Sequence, residues 1–292
     1  MLTEVRSKES AVAAALSRLS QLAMLPEVAT RVLKLADDPN VTMTKLADVI
    51  ATSPELSARM LRIVNSAFYG LPGEVRSIER ATTLMGLNSV RNVTIAASLT
   101  RVFQGRPLSQ NFSPKDLWVH SLSVATATRL IAGIVSPSVA DEAFLAGLLH
   151  DIGLMAELQI NRVKLAAVLS ILEAENGQGV LDAEDATYGA THQDFGEGLL
   201  RSWKLPDIFP LVAGTHHNPM AVPGGQRLLP AMVHVADRLV AASSGPFILD
   251  DPSPDVSDDV LDVVRLTREQ LADVLTVMPL AIADAERIFG AA

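Results

Sequence analysis

The chain reads as an all-α protein. Apolar residues recur at offsets of three and four along nearly its whole length, no sustained period-2 segment interrupts them, and the punctuation between them is that of helix ends.

In chain order, residues 1–16 predict an N-terminal helical extension, because charges alternate with small apolar residues and no basic stretch precedes a continuous apolar run as in a secretory leader. Residues 17–104 predict a subdomain of short helices. Thr42 caps a helix through Val49-Ile50. Ser53-Pro54-Glu55 supplies an N-cap, an N1 proline and an acidic first turn for Leu56 to Val64. Gly70-Leu71-Pro72-Gly73 is a turn, and Asn65, Ser66, Phe68 and Tyr69 before it read as a helix stop with aromatic anchoring against a second unit. SIERATTLMG fits a helix capped by Ser77 and ended by Gly86, after which Asn88 caps SVRNVTIAASLTRVF.

The polar, Gly- and Pro-punctuated stretch QGRPLSQNFSP, residues 104–114, is the predicted linker, and a second subdomain spans 105–245. Ser113-Pro114-Lys115-Asp116 opens a long helix through Trp118 and His120 to Ile134, and further helices cover 138–151, 161–175, 192–203, 207–217 and 227–243. Trp118 and Trp203 read as core anchors. Residues 246–292 hold an acidic loop at 249–259, LDDPSPDVSDD, and two short closing helices.

Composition narrows the function classes. With 292 residues and 49% hydrophobic content the chain has ample material for a core. It has no cysteine, which excludes disulfides, thiolate metal sites, iron–sulfur ligation and cysteine nucleophiles, and an intracellular, cytoplasmic chain is expected. No apolar run approaches a membrane span, since charges such as Arg129 interrupt the richest stretches, so no membrane partner is expected. A net charge of −9 and a pI near 5.1 argue against a generic nucleic-acid binder, and Arg76, Arg80 and Arg91 read as exposed helical arginines. There is no fixed-period repeat and no Gly-rich phosphate loop.

The chemistry concentrates in the histidines. All six lie between positions 120 and 234. His150-Asp151 interrupts the otherwise apolar LAGLLHDIGLM, and both groups are costly to bury unpaired. His120 lies in a helix, His192 opens THQDFGEGLLRSW, His216-His217 ends a helix, and Asp237 sits within VHVADRLVAA. Imidazoles with carboxylates suit divalent Fe, Mn, Zn or Ni, one ion or two, because a carboxylate can bridge a pair. Two such ions can generate hydroxide and clamp a phosphoryl group. Asp116, in the first turn of its helix, reads as a capping residue, and His234 as a surface or core-satisfied histidine.

The order His120, His150-Asp151, His192, His216-His217, Asp237 resembles that of the HD superfamily of metal-dependent phosphohydrolases. A closer resemblance runs over most of residues 17–240. LPEVATRVL, ATSPELSARMLRIVNSAFYG and SIERATTLMGLNSVRNV are similar to the start of the HDOD domain, the HD-related output domain of bacterial signalling proteins. This resemblance implies an N-terminal helical layer packed on an HD-like multi-helix core, and a signal-output protein that works through a signalling partner or a small nucleotide-like ligand. It implies metal ligation by His120, His150, Asp151, His192, His216, His217 and Asp237. Many HDOD domains have lost these positions; this chain keeps each of them. It departs from the related HD-GYP cyclic-di-GMP phosphodiesterases, with Leu154 where those carry a lysine, and HHNPMAVPGGQR lacks their glutamate and GYP triplet. An active metal-dependent phosphohydrolase in which Asp151 bridges two ions is the alternative, and a di-iron oxidative enzyme a third.

Overall fold

The computed structural model describes residues 2–17, 19, 25–66, 69–70, 73–174, 178–244, 247, 249 and 255–290. Phe68, Leu71-Pro72 of the expected turn and positions 250–254 of the acidic stretch lie outside them. Among the described residues every regular element is a helix. In order these are α1 (Leu2–Leu16), α2 (Glu27–Ala36), α3 (Met43–Ala51), α4 (Pro54–Val64), α5 (Ile78–Leu99), α6 (Pro114–Val135), α7 (Ala140–Leu149), α8 (Ile152–Ile160), α9 (Arg162–Glu173), α10 (Val180–Tyr188), α11 (His192–Ser202), α12 (Ile208–Thr215), α13 (Leu228–Ser244), α14 (Asp258–Val264) and α15 (Arg268–Phe289).

The caps expected from sequence form. Thr42, Ser53, Ser77 and Ser113 each accept a hydrogen bond from the backbone N–H three residues on, satisfying a donor that a helix start leaves free. Gly86 leaves helical values at φ 77°, ψ 169° and breaks α5, a conformation only glycine takes without strain. Asn65 stops α4 by pairing both ways with the backbone of Val75.

Helices α2, α3 and α4 pack on α5, which in turn lies against α7. The lower half is built around α6, flanked by α7, α13 and α15, while α11 is held between α8 and α12. The Tyr69 hydroxyl donates to Asp141 Oδ1 at 3.1 Å, Arg129 pairs with the same carboxylate, and its guanidinium lies 5.1 Å from the Tyr69 ring centre. The aromatic anchor expected at this turn is thus tied to the start of α7.

Several expectations are corrected. The single helix at 138–151 is a 3-10 turn, Pro137–Val139, followed by α7, which ends before His150. Helices α8 and α10 were not anticipated. The chain closes with one short helix, α14, and one of 22 residues, α15, which carries Pro279 within it. Within the expected linker Phe112 is completely buried. Two segments, Pro114–Val135 and Pro137–Ile160, do reach the length and apolarity of a membrane span, contrary to the sequence expectation. They are 67% and 89% buried within the protein, so their apolarity faces its own core.

Two glycines let these core helices touch. A Cβ on Gly147 would come within 2.7 Å of the Ala125 Cα in α6, and one on Gly153 would collide with the carbonyl of His192. Gly153→Ala is expected to cost about 3 kcal/mol by overpacking the α8–α11 contact, read as a fall in the urea midpoint without a change in slope.

Candidate metal centre

Each site residue stands where its helix places it for a local reason. His120 is in the buried face of α6. The chain breaks between α7 and α8 at His150-Asp151, with Asp151 at φ −102°, ψ 15°. Asp151 occupies the N-cap position of α8 yet caps nothing, which leaves its carboxylate to face the histidines. His192 is the first residue of α11, fixed by a capping box in which Thr191 and Asp194 exchange hydrogen bonds. His216 and His217 follow α12, and Asp237 projects from α13.

The seven predicted residues converge, and Asp151 divides them. Its Oδ2 lies 3.3 Å from His150 Nε2 and 3.6 Å from His120 Nε2, and Asp237 Oδ1 is 3.4 Å from that His120 nitrogen. Its Oδ1 lies 3.3 Å from His216 Nε2 and 3.5 Å from His192 Nε2, while His217 Nε2 is 3.1 Å from His192 Nε2. Nitrogen and oxygen donors about 2.1 Å from one tetrahedral ion sit roughly 3.4 Å from each other. Both halves have that spacing. The donors are buried except His217, which is half-buried and nearest to solvent.

The outer nitrogens explain why the inner ones are available. His150 Nδ1 donates to the Gly147 carbonyl at 2.7 Å, and His216 Nδ1 to that of Ala213 at 3.1 Å. His192 Nδ1 meets Glu184, 2.8 Å from Oε2, and the same carboxylate accepts the His192 backbone N–H. Hydrogen bonds of this kind fix the tautomer that leaves the Nε2 lone pair free for a cation. His120 and His150 bring their Nε2 atoms within 3.4 Å, as do His192 and His216. Lone pairs facing one another at this distance repel unless a positive charge lies between them. Asp237 Oδ1 is buried and faces His120 Nε2, a further acceptor aimed at the same place.

Electrostatics agree with the geometry. Burial would raise the Asp151 carboxyl, but His150, His192 and His216 hold it well below the usual carboxylate range. Burial likewise opposes ionisation of Asp237, and His120 overcomes it. Burial pushes the His150 imidazole down to about 4, and burial with two neighbouring imidazoles keeps His217 well below its ordinary value. His192 differs: burial works against its protonation, but Glu184 holds it up at about 9. A proton on its Nε2 stands where a cation would.

Glu184 is the functional residue that sequence reasoning missed. It lies on the unanticipated α10, completely buried, and the only signal available was that a ligating histidine wants a carboxylate behind it. Asp116 accepts from Ser113 Oγ at 2.6 Å and closes the start of α6, as expected of a capping residue. His234 donates from Nδ1 to the His216 carbonyl at 2.7 Å and so steadies the chain beside a site residue. Trp118 and Trp203 are buried core residues, while Arg76 pairs with Glu74.

The donor set fits a pair of divalent ions. It holds imidazoles and ionised carboxylates and no sulfur, which suits borderline metals. One half offers His120, His150, Asp151 and Asp237, and the other Asp151, His192, His216 and His217.

The chain matches the HDOD domain family over residues 22–219. It is similar to an HDOD domain protein of unknown function from Geobacter sulfurreducens, at 24% identity, covering 97% of this chain and 99% of that one with a TM-score of 0.79. It is also similar to a protein of Shewanella amazonensis SB2B provisionally named a phosphohydrolase, at 20% identity, covering 96% and 98% with a TM-score of 0.73. At these identities the likeness shows the fold alone. A curated but uncharacterized protein of Treponema pallidum is 24% identical over 91% of this chain; the chain spans about half, 51%, of that relative's length. With its helical order, its His/Asp cluster and a family match over most of its length, the chain belongs to the HDOD domain family.

Proposed function

We propose that the chain is a bacterial, cytoplasmic signal-output module that holds two divalent ions, drawn from Fe, Mn, Zn or Ni, and acts by binding a signalling partner or a small nucleotide-like ligand. The division into an N-terminal layer, residues 17–104, and an HD-like half, residues 105–245, belongs to the same reading. One observation carries it: the two oxygens of Asp151 face separate clusters of imidazole nitrogens at ligand spacing. Bound ions would supply Lewis acidity and positive charge beside the half-buried His217. The protein's own residues supply the rest. The carbonyls of Gly147 and Ala213 and the carboxylate of Glu184 orient the imidazoles of His150, His216 and His192.

A second reading, a metal-dependent phosphohydrolase, is favoured by the completeness of the ligand set. Position 154 weighs against a large anionic substrate. Leu154 is fully buried, so the residue after His150-Asp151-Ile152-Gly153 places an apolar group in the core and no cation beside a phosphate. A Mn-loaded sample turning over bis(p-nitrophenyl) phosphate, with the turnover lost in His150→Ala/Asp151→Ala, would establish this second reading in place of the first.

Elemental mass spectrometry on chelator-free protein is expected to find close to two transition-metal ions per chain, and the His150→Ala/Asp151→Ala variant fewer than one. No metal in the parent protein after loading overturns the proposal. Glu184→Gln is expected to weaken ion binding about 10- to 100-fold, because His192 loses the partner that orients it.

The pH dependence has a definite sign. His192 is raised from 6.5 to about 9 in the metal-free protein, so its pairing with Glu184 stabilises that form fully below pH 6.5 and is lost as pH climbs through 9. An ion at this half must displace the proton. Its apparent affinity is expected to rise about tenfold per pH unit between 7 and 8.5 and to level off above 9, measured by calorimetry in buffers of different ionisation enthalpy. In Glu184→Gln the slope should flatten.

A further inference from the structure

The N-terminal helix α1 lies outside the family match, yet it is docked on the scaffold of the metal centre. It packs along α11, the helix that begins with His192, and touches α8. Val12 and Leu16 of α1 are buried there, and the contact is close: a Cβ on Gly198 of α11 would sit 3.1 Å from Val12 Cγ1 and 3.0 Å from Leu16 Cδ1.

One turn before Val12, Lys8 reaches over the α10–α11 turn. Its Nζ is 2.8 Å from Asp194 Oδ2 and 3.2 Å from Asp185 Oδ1. Both carboxylates stand beside groups that set the second half of the metal centre. Asp185 is next in sequence to Glu184, which orients the His192 ring. Asp194 closes the capping box that fixes the His192 backbone, accepting from the Thr191 N–H at 2.8 Å and the Thr191 hydroxyl at 2.9 Å. The ammonium therefore ties α10 to α11 across the turn, Gly189 to Thr191, that separates Glu184 from His192.

We propose that α1 is a latch on one half of the metal centre, with Lys8 as a positioning residue for His192. The docked helix holds Glu184 and His192 in register and so sets the affinity for the ion bound by Asp151, His192, His216 and His217. The other half is supplied by His120 of α6, His150 and Asp151 at the α7–α8 break and Asp237 of α13, and shares Asp151 with the first. Anything that lifts α1, such as a partner that binds its apolar face, would release one ion selectively. The proposal rests on the two-ion reading above.

The test is a Mn(II) titration of the full chain, followed by electron paramagnetic resonance of free Mn(II), on the parent protein and on Lys8→Met, Lys8→Arg and Val12→Asn. The parent is expected to bind in two steps. Lys8→Met and Val12→Asn should weaken one step about tenfold and leave the other unchanged, and Lys8→Arg should restore the parent curve. Equal weakening of both steps, or no change in Lys8→Met and Val12→Asn, overturns the latch while the two-ion reading stands. A parent protein that binds one ion or none overturns both.

Discussion

The structure is organised around a buried carboxylate between two sets of imidazoles. Asp151 is almost entirely removed from water, a position that costs several kcal/mol for an isolated ion. It is held ionised because the Nε2 atoms of His150, His192 and His216 gather round it. The helices that deliver them come from distant parts of the chain, so the packing of α6, α7, α8, α11, α12 and α13 brings them together. Gly147 and Gly153 allow α6, α7, α8 and α11 to approach closely enough.

The site is braced from behind, with His217 half-buried at its side. Three of the imidazoles are braced on their outer nitrogens by Gly147, Ala213 and Glu184, so their inner lone pairs cannot turn away. Of these three, His192 is the one braced by a carboxylate, and Glu184 holds its imidazole up at about 9 in the metal-free protein. The two halves are thus electrostatically unlike despite sharing Asp151. On the two-ion reading such asymmetry would give the two ions different affinities from one set of ligand types, with Glu184 and α1 acting on the half that contains His192.

The fold carries its own link between the layers. Tyr69, from the turn after α4, meets Asp141 in the first turn of α7, and α7 ends at His150. A buried helix of ten residues is about 15 Å of rigid backbone, so the interface of the two layers and the metal centre sit at opposite ends of one element.

Much of this was legible in the amino-acid order. Local signals determine the all-α class, because caps such as Thr42, Ser53, Ser77 and Ser113 act within one turn and a glycine at position 86 breaks a helix wherever it is packed. The ligand types were legible too, since His150-Asp151 in an apolar run demands a partner. Tertiary structure alone decided the rest. Helix α10 has a weak apolar pattern and buries a glutamate, so nothing local distinguishes Glu184 from the other acids of its segment; only its distance to His192 does. The uncapped Asp151 after Leu149 faces His192 and His216, which are far away in sequence. The membrane-like apolarity of α6 and α7–α8 becomes core once other helices cover it. Short-range hydrogen bonds and periodicity are written in neighbouring residues, whereas burial, tautomer and charge state belong to groups that meet only when the chain has folded.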